Sequence, residues 1–129
     1  ALLPWPRFEV DPIESQLAAP SRTLLTILAL RERHPEADFA WIIGSDLLEE
    51  LPHWYRWPEL REGLRFLVIG RDGHRPPLPE GGDFVVRDLA LPDISSSAIR
   101  AALARGEDTA AWLPAGTRRW LARNPGRYR

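Results

Sequence analysis

Three short segments of this 129-residue chain carry residue types that could do chemistry together. The first is Asp93-Ile94-Ser95-Ser96-Ser97-Ala98-Ile99-Arg100. A helix that opens here would present unpaired N–H donors and a partial positive charge, a ready site for phosphate. Ser95, Ser96 and Ser97 add hydroxyl donors at that end. Arg100, one turn in, adds a planar fork that matches phosphate oxygens. One serine is enough to cap a helix, so three in a row point beyond capping, to anion binding. The second segment is Ile42-Ile43-Gly44-Ser45-Asp46. Gly44 lets a ligand approach the backbone closely, and Asp46 could accept from ribose hydroxyls. Read alone, Asp46 as a helix cap and Gly44 as a turn residue explain it better. The third is Leu51-Pro52-His53-Trp54-Tyr55-Arg56-Trp57. Aromatic rings beside charges can stack a planar ligand. The competing explanation is tryptophans buried under a loop, and most of the six must be core. Trp41, inside an apolar run, is assigned to the core, and Trp54 to a ligand.

The elements that would position these segments alternate. Phe8-Glu9-Val10 reads as a short strand. A helix follows Pro20, with Ser21 placed to cap it, Leu24, Leu25, Ile27, Leu28 and Leu30 at helical spacing, and Pro35 as its stop. Phe39–Ile43 and Phe66–Ile69 read as strands buried on both faces, and Phe84–Val86 as a third. Leu47–Leu51 reads as a short helix, and Pro58 suits the first turn of another. Gly70–Gly82 is a proline- and glycine-rich loop. A helix over 94–105 closes at Gly106. Pro114 starts a last helix, with Trp120 and Leu121 expected to face inward. This order predicts an α/β fold, a parallel sheet flanked by helices, here as a single domain over 1–129. In such sheets ligands bind beyond the C-terminal ends of the strands, where all three segments fall.

Composition narrows the classes. Hydrophobic residues are 44% and charged residues 27%, ordinary for a globular domain. Seventeen basic and eighteen acidic residues leave a net charge of -1, a poor basis for non-specific nucleic-acid binding. No apolar run approaches the roughly 20 residues of a membrane helix, and Ala1–Pro6 does not read as a signal peptide. Without cysteine there is no disulfide frame and no thiolate site. That suits a reducing compartment, and a cytoplasmic location is expected. His34, His53 and His74 have no metal-ligand spacing, so no protein metal site is expected. A homo-oligomer is left open.

Read in order, the segments resemble one family. Pro20-Ser21-Arg22-Thr23-Leu24-Leu25-Thr26 is followed by Ile43-Gly44-Ser45-Asp46-Leu47 and His53-Trp54-Tyr55-Arg56-Trp57. Then come Val68-Ile69-Gly70-Arg71-Asp72-Gly73 and Ile94-Ser95-Ser96-Ser97-Ala98-Ile99-Arg100. The set resembles bacterial nicotinate-nucleotide adenylyltransferases, enzymes of NAD biosynthesis, over nearly the whole chain. The serine element alone marks only the wider nucleotidyltransferase superfamily; the Trp-Tyr loop and the Pro-Ser-x-Thr element narrow it. The resemblance implies a Rossmann-like nucleotidyltransferase fold and the partners ATP and nicotinate mononucleotide, with Mg2+ accompanying ATP. It implies that Trp54 stacks on the pyridine ring and that backbone amides of Thr23 and Tyr55 receive its carboxylate. Gly44 and Asp46 would line the nucleotide site, and Ser95, Ser96, Ser97 and Arg100 would hold ATP phosphates, with Arg100 acting in catalysis. Arg71, after the second buried strand, is a weaker assignment to the substrate.

The chain departs from the family pattern in three places. Leu25 stands where an acid is usual, and Arg22 where a tyrosine commonly precedes the threonine. Nothing matches the family's opening strand, glycine-rich turn and His-x-Gly-His element. The expectation is that Ala1 begins after that βαβ unit of roughly 30 residues or more. The alternative readings are another nucleotidyltransferase, of the phosphopantetheine type, or a non-catalytic nucleotide-binding fragment. A plainer α/β domain, whose serines only cap a helix, is the last.

Overall fold

In the computed structural model, described over residues 7–70, 76–89 and 94–124, the elements run in chain order. They are α1 (Ile13–Gln16), α2 (Thr23–Arg33), β1 (Ala40–Gly44), α3 (Trp57–Gly63), β2 (Arg65–Gly70), β3 (Asp83–Asp88), α4 (Ser96–Ala104) and α5 (Ala115–Arg123). Two 3-10 turns, Ser45–Leu47 and Leu51–His53, link β1 to α3. Two compact units result, Asp11–Leu91 and a second made of Pro92–Arg129 with Ala1–Val10.

The first unit holds the sheet. The strands lie in the order β1-β2-β3, all parallel, with α3 in the crossover from β1 to β2. Trp41 faces Phe66 across one ladder, and Phe66 faces Phe84 across the next. One face of the sheet is thus lined by Trp41, Ile43, Phe66, Val68 and Phe84. Leu24 and Ile27 of α2 and Trp57 and Leu60 of α3 cluster with these residues to form the core. Leu48 and Leu51, from the turns after β1, close the same cluster. Phe66 is fully enclosed, with ring centroids 5.6 Å from Trp57 and 5.4 Å from Phe84. At the sheet's edge Arg65 of β2 bonds Asp83 of β3, its partner in the ladder, at 2.6 Å. That carboxylate holds the guanidinium above its ordinary pKa and marks the register.

Several expectations need correction. Phe8-Glu9-Val10 forms no strand, and both apolar side chains are exposed. Ser21 does not cap α2, which starts one residue later with Arg22 at the cap position and no side-chain cap. The Ser21 hydroxyl instead donates to Glu14, 3.3 Å away, which also receives the hydroxyl of buried Thr26 at 3.1 Å. The short helix expected over Leu47–Leu51 is divided between the two 3-10 turns. β1 is not buried on both faces: Ile42 is 68% exposed, because among the described residues α2 and α3 cover only the other face. Trp41, on that covered face, packs against the core but stays half-buried.

The second unit is helical. Ser95 caps α4, its Oγ accepting the backbone N–H of Ala98 at 3.1 Å. Gly106, at φ 71°, closes the helix where a left-handed residue is needed. Pro114 precedes α5 as expected. Trp120 and Leu121 turn toward α4, but Leu121 is only half-buried and Trp120 stays 42% exposed, as exposed as Trp112. Two short helices do not supply enough surface to enclose rings of that size.

Replacing Phe66 by alanine removes the ring that Trp57 and Phe84 pack against. The expected loss is about 3–5 kcal/mol, read as a lowered midpoint in denaturant unfolding. A loss no larger than that of an exposed residue would show that the aromatic cluster is not the core of the first unit.

Candidate functional site

A cavity of about 270 Å³ opens in the first unit, lined by Ser21, Arg22, Thr23, Leu24, His53, Trp54, Tyr55 and Leu60. It brings together Thr23, at the start of α2, with Trp54 and Tyr55, some thirty positions along the chain. Each wall has a local cause. Because α2 has no side-chain cap, the N–H groups of its first turn are left over. Among the described residues, neither the Thr23 nor the Tyr55 backbone N–H is donated to a protein acceptor. On the other wall, the turn Leu51–His53 ends with the Trp54 N–H bonded to the Leu51 carbonyl at 3.0 Å. Arg56 then takes a left-handed backbone, φ 52°, which reverses the chain sharply. Trp57 drops into the core while Trp54 stays half-buried and Tyr55 exposed at the cavity.

Sequence reasoning missed one component of this cavity. Arg22 counted there only as a departure from the family pattern. In the structure its guanidinium carbon lies 4.9 Å from the centroid of the Tyr55 ring, within the range of a cation–π contact. His53, expected to be an ordinary surface residue, is exposed but also lines the cavity.

Gly44 and Asp46 lie at the C-terminal end of β1, the end where open parallel sheets bind ligands. Asp46 is not a cap: it sits inside the 3-10 turn, exposed, with Gly44 at the cap position. Its carboxylate folds back so closely over Gly44 that a Cβ at position 44 would overlap Oδ1. Glycine is therefore what allows the carboxylate its place, and among the described residues that carboxylate has no hydrogen-bond or ion-pair partner. Arg71 lies outside the described residues.

Ser95, Ser96, Ser97 and Arg100 belong to the second unit, all exposed on the first turns of α4. Ser95 is committed to its cap. Arg100 Nη2 donates to Ser97 Oγ at 3.2 Å, so the guanidinium is held beside the helix N-terminus, its other donors without a partner among the described residues. Behind them, Ile99 and Leu103 of α4 face Leu113, Trp120 and Leu121 across an apolar groove of about 340 Å³. Among the described residues no group of three or more acidic or histidine side chains is arranged to hold a metal, and no helix is long and apolar enough to cross a membrane.

The sequence profile of the family described as cytidylyltransferase-like matches residues 6–102, which takes in every one of these segments. The chain belongs to the cytidylyltransferase-like family. Its curated relatives include a probable nicotinate-nucleotide adenylyltransferase of Anaeromyxobacter dehalogenans, 41% identical over 119 residues, covering 90% of this chain and 59% of the relative. A protein of the same name in Geobacillus thermodenitrificans is 36% identical over 118 residues, covering 90% of this chain and 53% of its own length. This cytidylyltransferase-like chain thus spans little more than half the length of these relatives. Among solved structures it is similar to the Plasmodium falciparum nicotinic acid mononucleotide adenylyltransferase complexed with NaAD, with a TM-score of 0.55 and 23% identity. That match covers 67% of this chain and 46% of the other. The same enzyme complexed with APC gives a TM-score of 0.63 at 20% identity, covering 80% and 56%. At that identity the likeness concerns the fold, which is Rossmann-like, as the motif order implied.

The three serines of this cytidylyltransferase-like chain can be separated by stability. Ser95→Ala should cost about 0.5–2 kcal/mol through loss of the cap. Ser96→Ala and Ser97→Ala should each stay within about 0.5 kcal/mol, as exposed substitutions do. Thermal unfolding of the three variants checks this, and equal losses at all three positions would contradict the assignment of the cap to Ser95.

Proposed function

We propose that this protein transfers the adenylyl group of ATP to nicotinate mononucleotide, giving deamido-NAD and pyrophosphate. One observation carries the reading. Thr23, Trp54 and Tyr55, distant in sequence, line one cavity, and among the described residues the Thr23 and Tyr55 backbone N–H groups have no protein acceptor. A stacking ring beside two spare donors suits a pyridine that bears an oxygen-rich substituent. The names of the curated relatives support the same substrate pair.

The reaction is an exchange at phosphorus. A phosphate oxygen of nicotinate mononucleotide attacks the α-phosphorus of ATP, a new P–O bond forms, and the bond to the β-phosphate oxygen breaks, its electron pair leaving with pyrophosphate. Catalysis of this kind rests on positioning and charge stabilisation rather than on a protein nucleophile. Trp54 stacks on the pyridine ring while the Thr23 and Tyr55 amides orient its carboxylate. Gly44 and Asp46 line the nucleotide side, with Arg71 a further substrate contact. The hydroxyls of Ser96 and Ser97, the α4 N-terminus that Ser95 caps, and Arg100 take the ATP phosphates. Arg100 offsets the charge that grows on the leaving group, which makes it the catalytic residue. A divalent cation, Mg2+, accompanies ATP; magnesium is held chiefly by phosphates and water with one or two carboxylates. The exposed Asp46 carboxylate, without a partner among the described residues, is a hard oxygen donor suited to that part, and the cation would neutralise phosphate charge. The cytoplasm, which holds both substrates, is the expected setting.

The test is pyrophosphate release with ATP, Mg2+ and nicotinate mononucleotide, together with the separate affinities. Trp54→Ala should weaken nicotinate mononucleotide by about fivefold or more, the loss of one ring stack, and leave ATP within about twofold. Arg100→Ala should do the opposite, weakening ATP by about tenfold or more through loss of a charge-assisted hydrogen bond. Equal losses for both ligands in either variant would sink the division of labour. Absence of ATP binding would sink the reading as a whole.

A further inference from the structure

We infer that Arg22 is the specificity residue of the cavity, selecting a pyridine ring that carries a carboxylate over one that carries an amide; the inference rests on the substrate reading above and refines it. Arg22 lines the same cavity as Thr23, Trp54 and Tyr55. Its guanidinium is held against the Tyr55 ring, 4.9 Å from the centroid, so the cation has a defined place rather than the freedom of a surface side chain. Arg33, Arg56, Arg65 and Arg105 each pair with a carboxylate. Among the described residues Arg22 pairs with none. The carboxylate on the neighbouring α1, Glu14, is taken up by the hydroxyls of Ser21 and Thr26. A cation with a π-face on one side and spare N–H donors on the other is set up for an incoming anion.

Place and chemistry identify that anion as the ring's own substituent. Arg22 lines the cavity beside Thr23, Trp54 and Tyr55, the residues assigned to the ring. The backbone N–H groups of Thr23 and Tyr55 can donate to the carbonyl oxygen of an amide as well as to a carboxylate oxygen, so they orient the substituent without rejecting either form. A guanidinium distinguishes the two. It bonds a carboxylate through two parallel N–H···O contacts and gains its charge, whereas an amide turns an NH2 donor toward one of those N–H groups. The departure of Arg22 from the family pattern thus adds charge recognition to donors the main chain already supplies.

The experiment titrates the protein with nicotinate mononucleotide and with nicotinamide mononucleotide, by calorimetry, in the native form and as Arg22→Gln and Arg22→Lys. Arg22 is exposed and its side chain does not cap α2, so both variants should fold, which their unfolding midpoints verify. The native protein should prefer the nicotinate form. Arg22→Gln should weaken that ligand by about tenfold or more, the cost of a charge-assisted contact, and the nicotinamide form by less than about twofold. Arg22→Lys should recover part of the loss, because the charge returns without the planar fork. Equal weakening of both ligands would overturn the inference, assigning Arg22 to the ribose phosphate or to steadying Tyr55. Unchanged affinities would overturn it as well. Failure of the native protein to bind either mononucleotide would overturn the substrate reading and this inference with it, an outcome distinct from the other two.

Discussion

The packing of Phe66 between Trp57 and Phe84 is the contact on which the first unit depends. Phe66 comes from the central strand, Phe84 from the neighbouring strand and Trp57 from the helix that crosses over them. Aromatic pairs of this kind contribute about 0.5–1.5 kcal/mol each beyond the area they bury. Their larger consequence is positional. Trp57 is only two residues from Tyr55, so seating its indole in the core anchors one end of the segment that carries the cavity's rings. The 3-10 turn around fully buried Leu51 anchors the other end. A short loop held at both ends presents Tyr55 to the cavity together with Trp54, which packs against the core.

Charge plays two different parts. The exposed ion pairs contribute little to stability singly, since solvent screens them. Their value is in marking geometry. Arg65 with Asp83 aligns two strands, and Arg33 with Asp11, at 3.0 Å, ties the end of α2 to the segment before α1. Arg105 beside Glu107 lowers that carboxyl below its ordinary range and fastens the turn after α4. The charged groups near the candidate ligand sites are arranged otherwise. Among the described residues Asp46 has no partner of opposite sign, and Arg100 is bonded to the neutral Ser97 hydroxyl alone.

Local signals in the sequence carried furthest. The helical spacing of Leu24 and Ile27, the proline stops, the Ser95 cap and the apolar runs that became β1 and β2 depend on neighbours within one turn or one strand. The family resemblance, not a local signal, grouped Thr23 with Trp54 and Tyr55, and these three line one cavity. The misreadings involve longer-range competition. Ser21 looked like a cap because its rival acceptor, Glu14, belongs to another helix. Trp41 and Ile42 looked equally buried because an apolar run does not reveal that one face of its strand is left uncovered. Trp120 looked like a core residue because its helical position is right, but burial depends on how much surface surrounds it. Arg22 was legible only as an oddity. Its contact with the Tyr55 ring arises from folding two segments together, and no spacing rule announces it.

The left-handed backbone at Arg56 bears on how this loop can vary among descendants of the sequence. Its side chain does no more than form an exposed pair with Glu59, a role that many residues could lose at little cost. The main chain is less forgiving. Glycine fits a φ of 52° without penalty, and asparagine or aspartate fit it well, whereas a β-branched residue would be strained there. Drift at position 56 should therefore look permissive in charge and narrow in shape. A valine or isoleucine arriving there would disturb the cavity without ever touching a ligand, by straightening the reversal that separates Tyr55 from Trp57.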